Sequence, residues 1–306
     1  MNKQLLFVHI PKTAGTSFRL AAETYFGQKN IFYDYGLLAD ETSKSIRKYV
    51  YEEKDMYKQS QEFEKYEQLL LSGHFLVGKY MAFFETLNVI TFVRDPIEQV
   101  LSHYKHFKTL HGYKNDLRYF INEERFKNIQ SKMLKAKPLE LYGFVGLTEA
   151  YEKSIVMINS EYDLNLKVLK SNMSLDQKLV TKDLDDEILE LIKKENSEDI
   201  AMYKKAKRLF HERLKCFEEK KPYTHLWIQE KTDLQVRGCA FSKSMTEAAS
   251  IKVYVEKERV EMLSAKSWRP GLVAQGVPRK GFIGFEYSLK NLSEAERASL
   301  TLEASL

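Results

Sequence analysis

The chain has 306 residues, of which 30% are charged and 43% hydrophobic, with a formal net charge of +5. That length can bury a sizeable core as one large domain or two smaller ones, and the composition excludes a disordered or fibrous chain. The mild basic excess suits an anionic ligand without calling for nucleic acid, and no run approaches the ~18–20 apolar residues of a membrane span.

At the N-terminus a single Lys3 precedes a short apolar stretch, with no small-residue cleavage site after it. No signal peptide is expected, and the expected location is cytoplasmic. Leu5, Leu6, Phe7, Val8 and Ile10 predict a strand over 5–10. A turn follows over 11–15, then an amphipathic helix over 16–26 that buries Phe18, Leu20, Ala21, Tyr25 and Phe26. Residues 41–70 are charged and helical in pattern, with Tyr49, Tyr57, Phe63, Tyr66, Leu69 and Leu70 as apolar positions. The β-branched cluster NVITFV predicts a second strand over 88–93. It ends at Arg94, and Asp95 can cap a helix whose first residue is Pro96.

Residues 140–148 read as a short strand, 149–159 as a helix, and 184–220 as a long charged helical stretch. Strand alternating with helix predicts an α/β fold with a parallel sheet flanked by helices. After Pro222 the texture changes to short apolar or β-branched runs separated by Gly, Pro and Ser. We expect an α/β domain over 1–222 and a small β-rich module, a β-sandwich in outline, over 223–306. Residues 293–306 read as a final helix or a frayed tail. Cys216 and Cys239 are the only cysteines, and they suggest neither a disulfide framework nor a zinc site.

The stretch FVHIPKTAGTSF carries the first chemistry. A turn between strand and helix aims free backbone N–H groups at one spot, where the helix dipole favours an anion. Gly15 permits close approach, the hydroxyls of Thr13, Thr16 and Ser17 add donors, and Lys12 adds positive charge. The order differs from GxxxxGK[ST], in which the lysine follows the glycines. An ordinary nucleotide triphosphatase is therefore disfavoured, and a capped helix beside a surface lysine is the plain alternative.

The second stretch, FVRDPIEQVLSHY, puts Arg94 at a strand end and Ser102 in the second turn of the next helix. Helical spacing lets Ser102 look back toward Arg94, forming a second oxyanion pocket. The plain alternatives are a local Arg94–Asp95 salt bridge and a buried hydroxyl.

Together the two stretches resemble the signature regions of sulfotransferases that use 3′-phosphoadenosine 5′-phosphosulfate (PAPS). HIPKTAGTS most resembles the branch that sulfates carbohydrate hydroxyls, including uronyl 2-O-sulfotransferases and their bacterial relatives. Ser72-Gly73-His74 resembles that branch's glycine–histidine site, and Phe144-Val145-Gly146-Leu147-Thr148-Glu149 its later FVGxTE segment. The matches span about residues 5–160.

The resemblance implies a P-loop-like core over 1–222 that binds PAPS without a metal. By that resemblance Lys12 would contact the bridging oxygen of the phosphosulfate. Thr13, Ala14, Gly15, Thr16 and Ser17 would cradle the 5′-phosphate, and Arg94 and Ser102 would hold the 3′-phosphate. His74 would be the general base, with Glu23 and Glu41 as fallback carboxylates. The implied acceptor is a carbohydrate or glycan hydroxyl, and the implied origin bacterial.

Other features read more plainly. His9 lies inside the first predicted strand and reads as structural. His103, His106 and His111 follow Ser102, but no third metal ligand is evident beside the first two, so a solvated helix is the expected reading. The basic run over 203–221 is read as a solvated face, or else as an edge for an acidic glycan or a peripheral membrane contact. Trp227, Tyr254 and Trp268 offer a sugar-stacking face, although core packing is the commoner role for aromatics. Two rivals remain: a small-molecule phosphotransferase, which needs magnesium ligands, and a non-catalytic glycan-binding protein.

Overall fold

The structure, a computed structural model, describes residues 3–168 and 184–306. The chain forms two compact units. One comprises Met1–Phe83, Asn88–Leu139 and Phe144–His211, and the other Phe84–Leu87, Glu140–Gly143 and Glu212–Leu306.

The first unit is built on a five-stranded sheet of order β2-β3-β1-β4-β5, all strands parallel. Its strands are β1 (Lys3–Val8), β2 (Ile31–Asp34), β3 (Gln68–Gly73), β4 (Val89–Val93) and β5 (Phe144–Leu147). The helices are α1 (Gly15–Phe26), α2 (Lys44–Ile46), α3 (Met56–Glu64), α4 (Pro96–Leu110), α5 (Leu117–Asn122), α6 (Ile129–Leu134), α7 (Tyr151–Tyr162), α8 (Asp186–Glu195) and α9 (Ser197–Glu218). α9 runs past the boundary between the units. The expected α/β class is the one observed.

The central strands are buried on both faces, and Leu6, Phe7, Val8, Leu69, Leu70, Leu71, Val89 and Ile90 are sealed from solvent. Phe18 of α1 packs on Phe7 with ring centroids 4.2 Å apart. α8 lays Ile188, Leu191 and Ile192 against Val100 and Leu101 of α4.

Several expectations need correction. The helical pattern read over 41–70 holds only in part, because Gln68–Gly73 is strand β3, next to the sheet's centre. β2 was not anticipated at all. The first strand ends at Val8, so His9 stands just beyond it, although its N–H still bonds the Gly73 carbonyl at 3.0 Å. The long stretch over 184–220 is two helices. The Asn196 side chain breaks it, donating from Nδ2 to the Ile192 carbonyl at 3.0 Å and accepting the N–H of the distant Asn128 on Oδ1 at 3.0 Å.

The second unit is β-rich, as expected. Its elements in chain order are β6 (His225–Lys231), β7 (Gln235–Phe241), β8 (Ser250–Val255), β9 (Glu258–Ser264), β10 (Ser267–Trp268), α10 (Pro270–Val273), β11 (Phe282–Ser288), α11 (Glu294–Ser299) and β12 (Thr301–Ser305). They make two antiparallel sheets, β10-β11-β7-β6 and β12-β8-β9. Val236, Phe241, Ile283 and Phe285 of one sheet share a core with Ile251 of the other. The tail is neither a plain helix nor frayed. Ser293 and Glu296 cap α11 reciprocally, and β12 then pairs with β8. Among the described residues no helix is long and apolar enough to cross a membrane.

Candidate active site

In an open parallel sheet, ligands gather where the strands end. Three strand exits matter here: those of β3, β1 and β4, which lie side by side in that order.

The β1 exit is the Pro11–Gly15 turn. Lys12 and Ala14 both sit in the left-handed region, at φ 66° and 65°. Left-handed residues alternating with ordinary ones turn successive N–H groups toward one point, an anion-binding nest, and non-glycine residues are held there only at a cost. The N-cap of α1 is Ala14, whose side chain makes no capping hydrogen bond. Thr13 is buried and spends its hydroxyl inside the turn, donating to the Ile10 carbonyl at 2.9 Å. Ser17 is buried and Thr16 exposed. Lys12 is half-buried and forms no ion pair among the described residues. Burial and the nearby Arg94 guanidinium push its pKa down.

The β4 exit delivers Arg94. This side chain is buried, and it donates from Nη1 to the Lys12 carbonyl at 3.3 Å and from Nη2 to Glu98 Oε2 at 3.2 Å. Gln99 Nε2 reaches the Pro11 carbonyl at 3.1 Å. The two sequence stretches are therefore tied together by side chain to backbone bonds. Asp95 caps α4 as expected, accepting from the Ile97 and Glu98 N–H groups at 3.0 and 3.3 Å, with Pro96 as first residue. Ser102 is half-buried on α4 and has no hydrogen bond to Arg94, so the structure does not join the expected pair.

The FVGLTE segment supports this exit from β5. Glu149 Oε1 accepts the Asp95 N–H at 2.8 Å, and Thr148 Oγ1 donates to the Val93 carbonyl at 3.2 Å. Sequence reasoning quoted these residues without giving them a task.

The β3 exit delivers His74. Its N–H donates to the Asp34 carbonyl at 2.9 Å, and its ring Nδ1 lies 2.5 Å from the His9 carbonyl oxygen. A carbonyl can only accept, so Nδ1 carries the proton and Nε2 keeps a lone pair. The residue is exposed, yet protein atoms crowd its ring. The ring centroids of His9 and Tyr35 lie 4.5 and 4.8 Å away. That crowding lowers its pKa; the bond to His9 opposes the shift and the Arg19 charge adds to it. His9 is buried, bonded to the Tyr35 hydroxyl at 2.9 Å, and held well below the usual imidazole range by burial. Its ring occupies the space where a Gly15 Cβ would stand, 2.0 Å away.

Of the fallback carboxylates, Glu23 accepts from the Tyr33 hydroxyl at 2.6 Å and pairs with Arg19 at 3.5 Å. Glu41 is exposed.

Sequence reasoning missed a buried carboxylate whose backbone carbonyl accepts the His74 N–H. Asp34 ends β2 with its side chain sealed from solvent. It accepts from Lys79 Nζ at 2.6 Å, the Tyr51 hydroxyl at 2.6 Å, the Tyr80 hydroxyl at 2.8 Å and the Gly36 N–H at 3.1 Å. An aspartate closing the apolar run IFYD was the only available signal.

The remaining candidates lie apart. His103 is buried among Phe107, Phe120 and Phe126, and burial pushes its pKa down to about 3. His106 and His111 face each other with Nε2 atoms 3.4 Å apart. Among the described residues no group of three or more His, Cys, Asp or Glu side chains is arranged to hold a metal ion. In the basic run Lys204, Lys205, Lys207, Arg208 and Lys215 are exposed, whereas Arg213 is buried and donates to the Gly143 carbonyl. The three aromatics do not form one face. Trp227 and Trp268 lie on opposite edge strands of one sheet, and Tyr254 lies on the other sheet.

A search of curated proteins by sequence found no match to this chain. Among solved structures, the chain is similar to the crystal structure of mouse sulfotransferase SULT7A1 complexed with PAP. The TM-score is 0.37 at 10% identity, over 65% of this chain and 66% of that one, so just under two thirds of the mouse chain is spanned. It is also similar to a sulfotransferase from Alicyclobacillus acidocaldarius, with a TM-score of 0.33 at 11% identity over 63% of this chain and 95% of that one. The sequence model described as the sulfotransferase family matches residues 1–206. That match takes in the five-stranded sheet, the turns at the β1 and β4 exits and His74, and by it the chain belongs to the sulfotransferase family.

Proposed function

We propose that this protein transfers a sulfuryl group from PAPS to a hydroxyl of a carbohydrate acceptor, acting in the cytoplasm. Residues 1–222 bind the donor, and 223–306 are an accessory module. The observation that carries the reading is the order of groups along one sheet edge: His74 after β3, the Lys12 turn after β1 and Arg94 after β4.

The residues present fit a doubly phosphorylated donor. A left-handed nest, a helix start without a side-chain cap and a lysine with no ion pair among the described residues suit a phosphosulfate. One strand away, a buried arginine suits a second phosphate. When bound, PAPS supplies an activated sulfuryl group on a phosphate leaving group.

The backbone N–H groups of Thr13 to Ser17 bind and orient the 5′ end, and Lys12 holds positive charge against the oxygen that departs. Arg94 and Ser102 fix the 3′ end. The Nε2 lone pair of His74 accepts the proton of the acceptor hydroxyl, a step worth about 10²–10⁴ in rate. The His9 carbonyl keeps that lone pair on Nε2.

Calorimetry with 3′-phosphoadenosine 5′-phosphate (PAP) alone, against ATP with magnesium, tests the donor. Labelled-sulfate transfer over a panel of glycans tests the reaction. PAP should bind wild type and His74→Ala but bind Lys12→Ala weakly, and transfer should collapse in both variants. Binding of ATP with magnesium but not of PAP, or transfer that survives both substitutions, would overturn the assignment.

A further inference from the structure

Two histidines at the C-terminal end of α4 have no part in the donor cradle. His106 lies in the helix, and His111, five residues on, caps it. Their Nε2 atoms stand 3.4 Å apart and their ring centroids 5.1 Å apart, with the planes at 63°. This is not the pair that helical spacing offered. His103, three residues before His106, turns instead into the rings of Phe107, Phe120 and Phe126.

A spacing of five does not bring two side chains together on a continuous helix. The helix end does. The His111 and Tyr113 N–H groups both bond the Phe107 carbonyl at 3.1 Å, which closes the last turn. Gly112, at φ 61°, lets the chain leave. The Phe107 ring centroid lies 4.8 Å from that of His111 and 4.9 Å from that of buried Phe126. The His111 ring thus rests on a side chain that is itself anchored.

Two imidazole nitrogens that face each other need something between them. One ring can donate to the other, but 3.4 Å is longer than the usual hydrogen-bond range of about 2.7–3.2 Å. A shared cation fits better. Nitrogens about 2.0–2.1 Å from a tetrahedral zinc stand about 3.4 Å apart. Extending each Zn–N line by about 1.1 Å to the ring centre puts the centroids about 5.2 Å apart. The observed 3.4 and 5.1 Å match both values, as they should if the two rings converge on one point.

The surroundings favour the form of His106 that can bind a metal. Burial, with the Lys12 charge adding to it, lowers its pKa, so the ring is neutral at neutral pH.

We propose that His106 and His111 form a two-histidine site for a divalent transition-metal ion of zinc's class, held by the two Nε2 atoms with its other positions open to water. Neutral imidazoles suit zinc and its neighbours and select against magnesium and calcium, which take oxygen ligands. The site depends neither on His74 nor on the donor.

The test is calorimetry of the full chain, freed of metal by chelation, with zinc chloride. Wild type should bind one zinc equivalent that His106→Ala and His111→Ala both lack. His211→Ala should keep it, because that exposed ring sits by itself on α9 with Nδ1 2.6 Å from the Lys207 carbonyl. Excess magnesium should not displace the zinc. Zinc should raise the melting temperature of wild type and of His211→Ala but of neither site variant. Melting temperatures without metal check the fold. If His106→Ala, at a half-buried position, proves unstable, His111→Ala at an exposed one still decides. No zinc bound by wild type, as many equivalents bound by His111→Ala as by wild type, or displacement by magnesium overturns the proposal.

Discussion

The side-chain amide of Gln130 grips the backbone of Arg94 from both sides, with Oε1 accepting its N–H at 2.9 Å and Nε2 donating to its carbonyl at 3.0 Å. Gln130 is itself held, because Asp199 accepts the Gln130 and Ser131 N–H groups at 3.1 and 2.7 Å. The first turn of α9 thus sets α6, and α6 sets the arginine. Gln130→Glu keeps the shape but cannot donate to the Arg94 carbonyl, and an unsatisfied buried group costs about 1–3 kcal/mol. We expect PAP affinity to fall about tenfold for each 1.4 kcal/mol lost at the site. Calorimetry checks this, and a variant that lost melting temperature while keeping its PAP affinity would contradict it.

Gly15 and His9 compete for one volume, since an added Cβ would lie 2.0 Å from the imidazole Cδ2. The conformation of Gly15 is ordinary, so the argument is space alone. Gly15→Ala should cost about 1–3 kcal/mol, the usual range for overpacking. In a His9→Ala background the obstacle is gone and the same change should be nearly neutral. Equal losses of stability in both backgrounds, from chemical denaturation, would show that the clash is relieved elsewhere.

The parts of this architecture that could be read from sequence are those with chemical punctuation. Asp95-Pro96 announced α4, and the small residues of TAGTS announced the first turn, because caps and turns depend on particular side chains. β3 was hidden because a strand buried on both faces shows no alternation. Leu69, Leu70 and Leu71 extend a charged helical pattern just as well as they fill a sheet. β2 has only four residues, too few for any period. The β8–β9 hairpin turns on Glu256 and Lys257, at φ 48° and 71°, rather than on the Asn-Gly pair that would have flagged it. For the site, motif resemblance picked out His74 and Arg94. Their supports come from distant sequence: Glu149 stood in a recognised segment without a task, and Gln130 and Asp34 became visible only through contacts.

Asp34 links acid stability to the placement of His74. Burial alone would raise its carboxyl pKa, but the hydrogen bonds from Lys79, Tyr51 and Tyr80 bring it below the usual value. A depressed folded-state pKa contributes stability that is complete above the unfolded value of about 3.9 and is lost as pH falls through the folded value. Asp34→Asn should therefore be less stable than wild type at pH 7, and the gap should close below about pH 4. Asp34→Ala strands Lys79, and because that ammonium still reaches water the cost should lie near the lower end of the range for broken buried pairs, about 3 kcal/mol. Denaturant midpoints measured across pH decide this. A gap that stayed constant down to pH 2 would remove Asp34 from the acid response.

His74 should set the acid limb of the pH–rate profile. A general base works when unprotonated, so kcat/KM should rise as pH passes its pKa and then level off. Crowding by protein atoms holds that pKa below the usual 6.5, so the plateau should already be reached at neutral pH. His9, Arg19 and Glu41 are the ionisable neighbours that decide where the limb falls, and they act in different ways. His9 stays neutral across this range and contributes its carbonyl. Arg19 lowers the His74 pKa and Glu41 raises it. Arg19→Gln should therefore move the limb to higher pH and Glu41→Gln to lower pH, opposite shifts that a general loss of structure would not produce. His74→Asn can still donate to the His9 carbonyl but offers no base, so it should lose about 10²–10⁴ in kcat while PAP affinity holds. A limb that moved the same way in both charge variants, or that persisted in His74→Asn, would mean that another group takes the proton.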